Sequence, residues 1–146
     1  MLVNTEQLDN TLRALESALE HYQQAVAEQD AVEQEIFRLA IIKGCELAQE
    51  VSFKLIRRQL REFGHSSRTL EAMPVKELLR FAAQHSLLSI AEVERWFAYR
   101  ANRNNTAHNY GEGFVQATLA ILPDFIRDAR ALAARLRTGA ALAEDE

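Results

Sequence analysis

Arg103, Asn104, Asn105, Thr106, Ala107, His108, Asn109 and Tyr110 are consecutive and form the densest run of polar functional groups in the chain. Arginine is permanently cationic and can grip a phosphate through two parallel hydrogen bonds. Histidine titrates near neutral pH and can move protons. Together they suit phosphodiester chemistry that needs no metal ion. The other histidines, His21, His65 and His85, fall in segments that read as helix surface or loop. In an ideal helix five residues turn through about 140°, so Arg103 and His108 would point to different sides. Either the backbone breaks at the asparagines or the two groups meet across a subunit interface. A polar helix end, with Asn105 as cap and His108 and Tyr110 bonded to backbone, accounts for the same residues.

The elements that must hold this segment read as helices. Five glycines and two prolines in 146 residues are too few to punctuate a sheet. Asn4 or Thr5 caps a first helix with Leu8, Leu12, Leu15, Leu19, Tyr22 and Val26 on its seam. Asp30 caps a second, from about Ala31 to Phe63, with a stripe of Phe37, Ile41, Gly44, Ala48, Val51 and Leu55. Ile56, Leu60 and Phe63 continue its burial, Gly44 and Ala48 admit a close neighbour, and Gly64 ends it. His65–Met73 is a connection, and Val75–Leu87 a third helix opened by Pro74. Ser89 and Glu92 form a capping box for a fourth. A break belongs within Asn102–Gly113, and a last helix starts near Phe114. The expected fold is an all-α, antiparallel up-and-down bundle of four to five helices, one domain over residues 1–137, with a short flexible acidic tail at 138–146.

Apolar residues make up 48% and charged residues 26%, with a net charge of −4 and a pI near 5.6. That balance excludes a protein whose main role is to coat nucleic acid or an anionic membrane. The charge is uneven. Residues 1–36 carry a local −7, residues 37–110 a local +5 and residues 111–146 a local −2. Lys54, Arg57, Arg58, Arg61 and Arg68 cluster in the middle block, either as a solvated helix face or, beside a catalytic group, as contacts to RNA phosphates. The single cysteine, Cys45, excludes an internal disulfide and a cysteine-based zinc cluster. Neither a secretory signal nor a membrane span is visible, so a cytoplasmic location without membrane attachment is expected. Neither cofactor nor metal is expected. Glu46 and Glu50 lie one helical turn apart and read as partners that orient Arg103 or pair with another basic residue.

The run Arg103–Tyr110 resembles the R-x4-H-x-Y motif of the HEPN superfamily, and the chain is similar to its HepT group, also described as nucleotidyltransferase substrate-binding proteins. Residues Ile42–Lys54 resemble that family's second helix, and the similarity extends over almost the whole chain. Cys45 and Phe53 replace larger aromatics, and Asn102 stands where an acid often precedes the motif arginine. The resemblance implies a HEPN-like bundle that dimerises with its motifs facing across a composite cleft. It further implies a ribonuclease toxin, neutralised by a small MNT-type nucleotidyltransferase antitoxin that AMPylates the motif tyrosine. Carried over, Arg103 and His108 are the catalytic pair, Tyr110 is the modified residue, and Asn104 helps shape the pocket.

RNA supplies its own nucleophile, the 2′-OH, so such an enzyme needs only proton transfer and charge stabilisation. His108 suits the first role and Arg103 the second. Two other classes fit the same groups. One is a non-catalytic nucleotide- or substrate-binding subunit of a two-component nucleotidyltransferase, and the other is a dimerisation scaffold.

Overall fold

Helix-forming residues dominate the chain, and the apolar ones recur at helical spacing. The computed structural model describes residues 3–106 and 112–139, all of them in helices or short connections. Six helices result: α1 (Glu6–Ala27), α2 (Ala31–Arg61), α3 (Ser67–Ala72), α4 (Val75–Gln84), α5 (Ile90–Thr106) and α6 (Glu112–Thr138). The expected all-α bundle is therefore present, with one helix more than anticipated.

That extra helix is α3, inside the segment read as a connection. Ser66 caps it by accepting from the Thr69 amide, and Leu70 is buried beneath it. Its C-terminal carbonyls are held by Arg57, whose Nε donates to Leu70 O at 3.0 Å and Nη2 to Met73 O at 3.3 Å. A six-residue helix is marginal alone, so these contacts from α2 sustain it.

α2 is the axis of the molecule and packs against every other helix. Asp30 caps it, its side chain accepting from the Glu33 amide. Gly44 sets how near α1 can come, because a Cβ there would meet Leu15 Cδ1 at 2.9 Å. Leu8, Leu12, Leu15 and Tyr22 are buried as the seam requires. Val26 is not, at 47% exposure, and Ala18 and Ala25 are buried on that part of the helix instead. Val32, Ile36 and Leu39 are also exposed, so this end of the α1–α2 hairpin has no cover from the other described residues. Phe63 likewise fails to continue the core. The helix stops at Arg61, Gly64 takes φ +90°, and Phe63 stacks on His85 at 4.3 Å.

The capping box forms as expected: Glu92 Oε1 accepts from the Ser89 amide and Ser89 Oγ from the Glu92 amide. α5 runs on to Thr106 and α6 starts at Glu112, so both ends fall inside the 102–113 segment expected to hold a break, of which 107–111 lie outside the described residues. Asn102 Nδ2 donates to Thr118 Oγ1 at 2.9 Å, which ties the last turns of α5 to α6. α6 continues through Pro123 to Thr138, so the first residue of the tail expected at 138–146 is helical, and 140–146 lie outside the described residues. Among the described residues no helix is long and apolar enough to cross a membrane.

Candidate functional site

Arg103 stands on the last turn of α5, carried there by a helix whose buried face is Val93, Trp96 and Tyr99. Gln49 Nε2 donates to Tyr99 O at 3.2 Å, one turn before Arg103, and fixes α5 against α2. Glu50, next in sequence to Gln49, receives Arg103: Nη2 donates to Oε1 at 2.6 Å. Of the two glutamates expected to orient this arginine, Glu50 makes the ion pair. Glu46 pairs with Lys43 at 3.6 Å, yet it lines the same small crevice as Arg103, Asn102 and Thr118. Asn104 is exposed beside them. His108 and Tyr110 lie outside the described residues.

Cys45 borders this crevice and is buried. Burial, with the Glu46 charge adding to it, pushes its thiol up to about 12. At neutral pH it is a protonated, inert side chain. Among the described residues no three His, Cys, Asp or Glu side chains come together as metal ligands would.

Further along α2, Lys54, Arg57, Arg58 and Arg61 border a groove of about 480 Å³, closed on its far side by Ser67, Leu70 and Glu71 of α3. The four expected phosphate contacts are not equivalent. Lys54 and Arg58 are exposed, Arg57 is committed to the α3 carbonyls, and Arg61 Nη1 donates to Ser67 Oγ at 3.2 Å. Glu50, Lys54, Arg58 and Arg61 follow at intervals of four, four and three, so the groove continues the face that holds Arg103.

The family model described as "Nucleotidyltransferase substrate binding protein like" matches residues 5–138. The chain belongs to this family. A relative named "Probable ribonuclease HepT", from Haemophilus influenzae, is 30% identical over 109 residues, covering 75% of this chain and 73% of the relative, and bears out the resemblance to the HepT group. A solved Haemophilus influenzae structure, described as revealing the fold of a substrate binding domain of a nucleotidyltransferase, superposes with a TM-score of 0.81. It is 27% identical and covers 92% of this chain and 99% of its own. A structure described as a toxin-antitoxin with AMP-PNP shares the fold alone, at TM-score 0.61 and 13% identity, covering 88% of this chain and 96% of its own.

In this member of the family a second polar cluster on α5 was not foreseen. Asp128 of α6 accepts from Arg95 Nε at 2.8 Å, Arg95 Nη2 at 3.0 Å and Tyr99 Oη at 2.5 Å. Burial pushes the Asp128 carboxyl up, but the hydrogen bonds from Arg95 and Tyr99 and the Arg95 charge outweigh it and hold it below the usual carboxylate range. Burial, and then the bond to Asp128, raises the Tyr99 phenol. A sequence signal existed: Asp128 falls three residues after Phe125 and four before Leu132, on the inward face of α6. Glu92 is used twice in the same spirit, since its Oε1 accepts from the Ser89 amide at 3.0 Å and from Arg135 Nη1 at 2.9 Å.

Proposed function

We propose that the protein is a metal-independent endoribonuclease of the toxin–antitoxin type, acting as a homodimer with Arg103 and His108 as its catalytic pair. The observation that carries this reading is the capture of Arg103 by Glu50, which presents a cation at the end of α5 beside a continuous basic face. The relative named as a probable ribonuclease and the structural likeness to a toxin–antitoxin protein support it.

His108 takes the proton from the RNA 2′-OH, the 2′-oxygen attacks phosphorus, and the bond to the 5′-oxygen breaks. The leaving oxygen receives a proton from the histidine of the twin protomer. Arg103 binds the non-bridging oxygens as charge builds on them. The products are a 2′,3′-cyclic phosphate and a 5′-hydroxyl. An antitoxin nucleotidyltransferase silences the site by placing AMP on Tyr110, where a bulky anion two residues from His108 excludes RNA by size and by charge.

The test is cleavage of RNA in EDTA. Wild type should yield cyclic-phosphate ends and His108→Ala should yield none. Intact mass after co-expression with the partner should show added AMP on wild type and none on Tyr110→Phe. The description shared by the family and its Haemophilus structure favours a second reading, a non-catalytic substrate-binding subunit. Stoichiometric nucleotide binding by a dimer that never cuts RNA would establish that reading instead.

A further inference from the structure

The C-terminal half of α2 carries a feature that catalysis at Arg103 does not require. Lys54 and Arg58 line two separate grooves: the one against α3, and another of about 380 Å³ against the start of α1, bordered by Asn4, Gln7 and Asn10. The two cations thus form a ridge between grooves, with side chains exposed on both flanks. Each groove contributes a single acid to its lining, Glu71 on one side and Glu6 on the other. Arg57 and Arg61 reinforce the ridge from the α3 side. Their bonds to Leu70 O, Met73 O and Ser67 Oγ hold the guanidinium groups in place along the groove wall.

We infer that this ridge is a binding track for a single RNA strand, which leaves the catalytic centre along α2 with its backbone phosphates on Lys54, Arg58 and Arg61. The inference rests on the ribonuclease reading and deepens it by separating where RNA is held from where it is cut. Three features favour an extended strand over a free nucleotide. An ideal helix rises ~16 Å from Glu50 to Arg61, more than one triphosphate needs. The cations recur once per turn in a line rather than converging on a point. The line begins at Glu50, the residue that grips Arg103. Arg57 is a strut for α3 rather than a contact, because its guanidinium is spent on backbone carbonyls.

The experiment measures binding of a fluorescent 2′-O-methyl oligonucleotide, which lacks the nucleophile and cannot be cut, to the full chain as salt is varied. Lys54→Glu/Arg58→Glu should weaken binding at least tenfold. Its plot of log affinity against log salt should flatten by about 1.4, two phosphate contacts at ~0.7 each for a single strand. Lys54→Gln/Arg58→Gln, which introduces no repulsion, should flatten the plot equally, with both variants melting as wild type does. Unchanged affinity and slope in the neutral pair would overturn the track. So would a dependence on Lys54 and Arg58 that appears for ATP, or for association with the nucleotidyltransferase partner, and not for the oligonucleotide. Failure of the ribonuclease reading registers elsewhere, as intact RNA in the cleavage assay with oligonucleotide binding and its salt slope preserved.

Discussion

α5 supplies the arginine of two arginine–carboxylate pairs only two turns apart, and they are built oppositely. Arg95 meets Asp128, whose side chain is 3% exposed and also accepts from Tyr99, so the carboxylate is enclosed by three donated hydrogen bonds. Arg103 meets Glu50, whose side chain is 53% exposed. The first pair joins α5 to α6 with its carboxylate buried and its arginine reaching solvent, so loss of the donors would leave Asp128 in a poorly solvated site. The second lies at the surface, where an ion pair adds little to stability. The same chemistry therefore serves cohesion at one position and, in the proposed function, orientation of a catalytic arginine at the other.

Disruption of the buried pair should give the largest effect. Asp128→Ala leaves the buried Tyr99 hydroxyl without its acceptor and is expected to cost ~2 kcal/mol of unfolding free energy, seen in denaturant titration, while cleavage per folded molecule stays near wild type. Arg103→Ala should do the reverse, with cleavage down about 10²-fold or more and stability within about 1 kcal/mol of wild type. If the two variants lose stability alike, the division between the pairs is wrong. Arg103→Lys should recover little of the rate, since an ammonium cannot hold two oxygens in a fork.

Glu50→Gln sharpens the comparison further, because in the proposed function Glu50 acts on RNA only by positioning Arg103. The rate constant kcat should fall roughly tenfold with KM nearly unchanged. A loss confined to KM would make Glu50 part of RNA binding instead. The pH dependence separates the pairs as well. Asp128 is held below its ordinary value in the fold, so its contribution is complete above the usual carboxylate range and disappears as pH falls through the folded value. Asp128→Asn should lack that acid-side loss, as thermal melts from pH 7 to pH 3 would reveal.

The smallest effect belongs to His85, whose Nε2 lies 3.2 Å from that of His65. Burial and then the His65 charge lower its pKa, so stability present above about 6.5 declines as pH falls through the folded value. Melting of His85→Gln over pH 5–7 should be slightly flatter than wild type, and a steeper profile would reverse the sign assigned here.

Local chemistry made much of this architecture legible in the sequence. The Asp30 cap, the Ser89–Glu92 box and the close approach at Gly44 each depend on residues near in sequence or on side-chain size, and each is present. Helix α3 was hidden because Arg57, thirteen positions before Leu70, supplies what its own six residues lack. Val26 and Phe63 matched the apolar spacing but stay about half exposed, because spacing along one helix does not report how far its neighbours cover each residue. The site divided similarly. Both glutamates were recognisable as partners for Arg103, but only the packing of α5 on α2 selects Glu50. Asp128 was visible as an acid on an apolar face, whereas its partners Arg95 and Tyr99 come from a different helix.

The buried thiol of Cys45 gives the molecule a practical property. With its pKa pushed up to about 12, it is almost wholly protonated at pH 7, and its burial limits the access of reagents. A cysteine introduced at an exposed position will outrun it in alkylation by orders of magnitude. Fluorophores or spin labels can therefore be attached one at a time to the native background, with the original cysteine left in place.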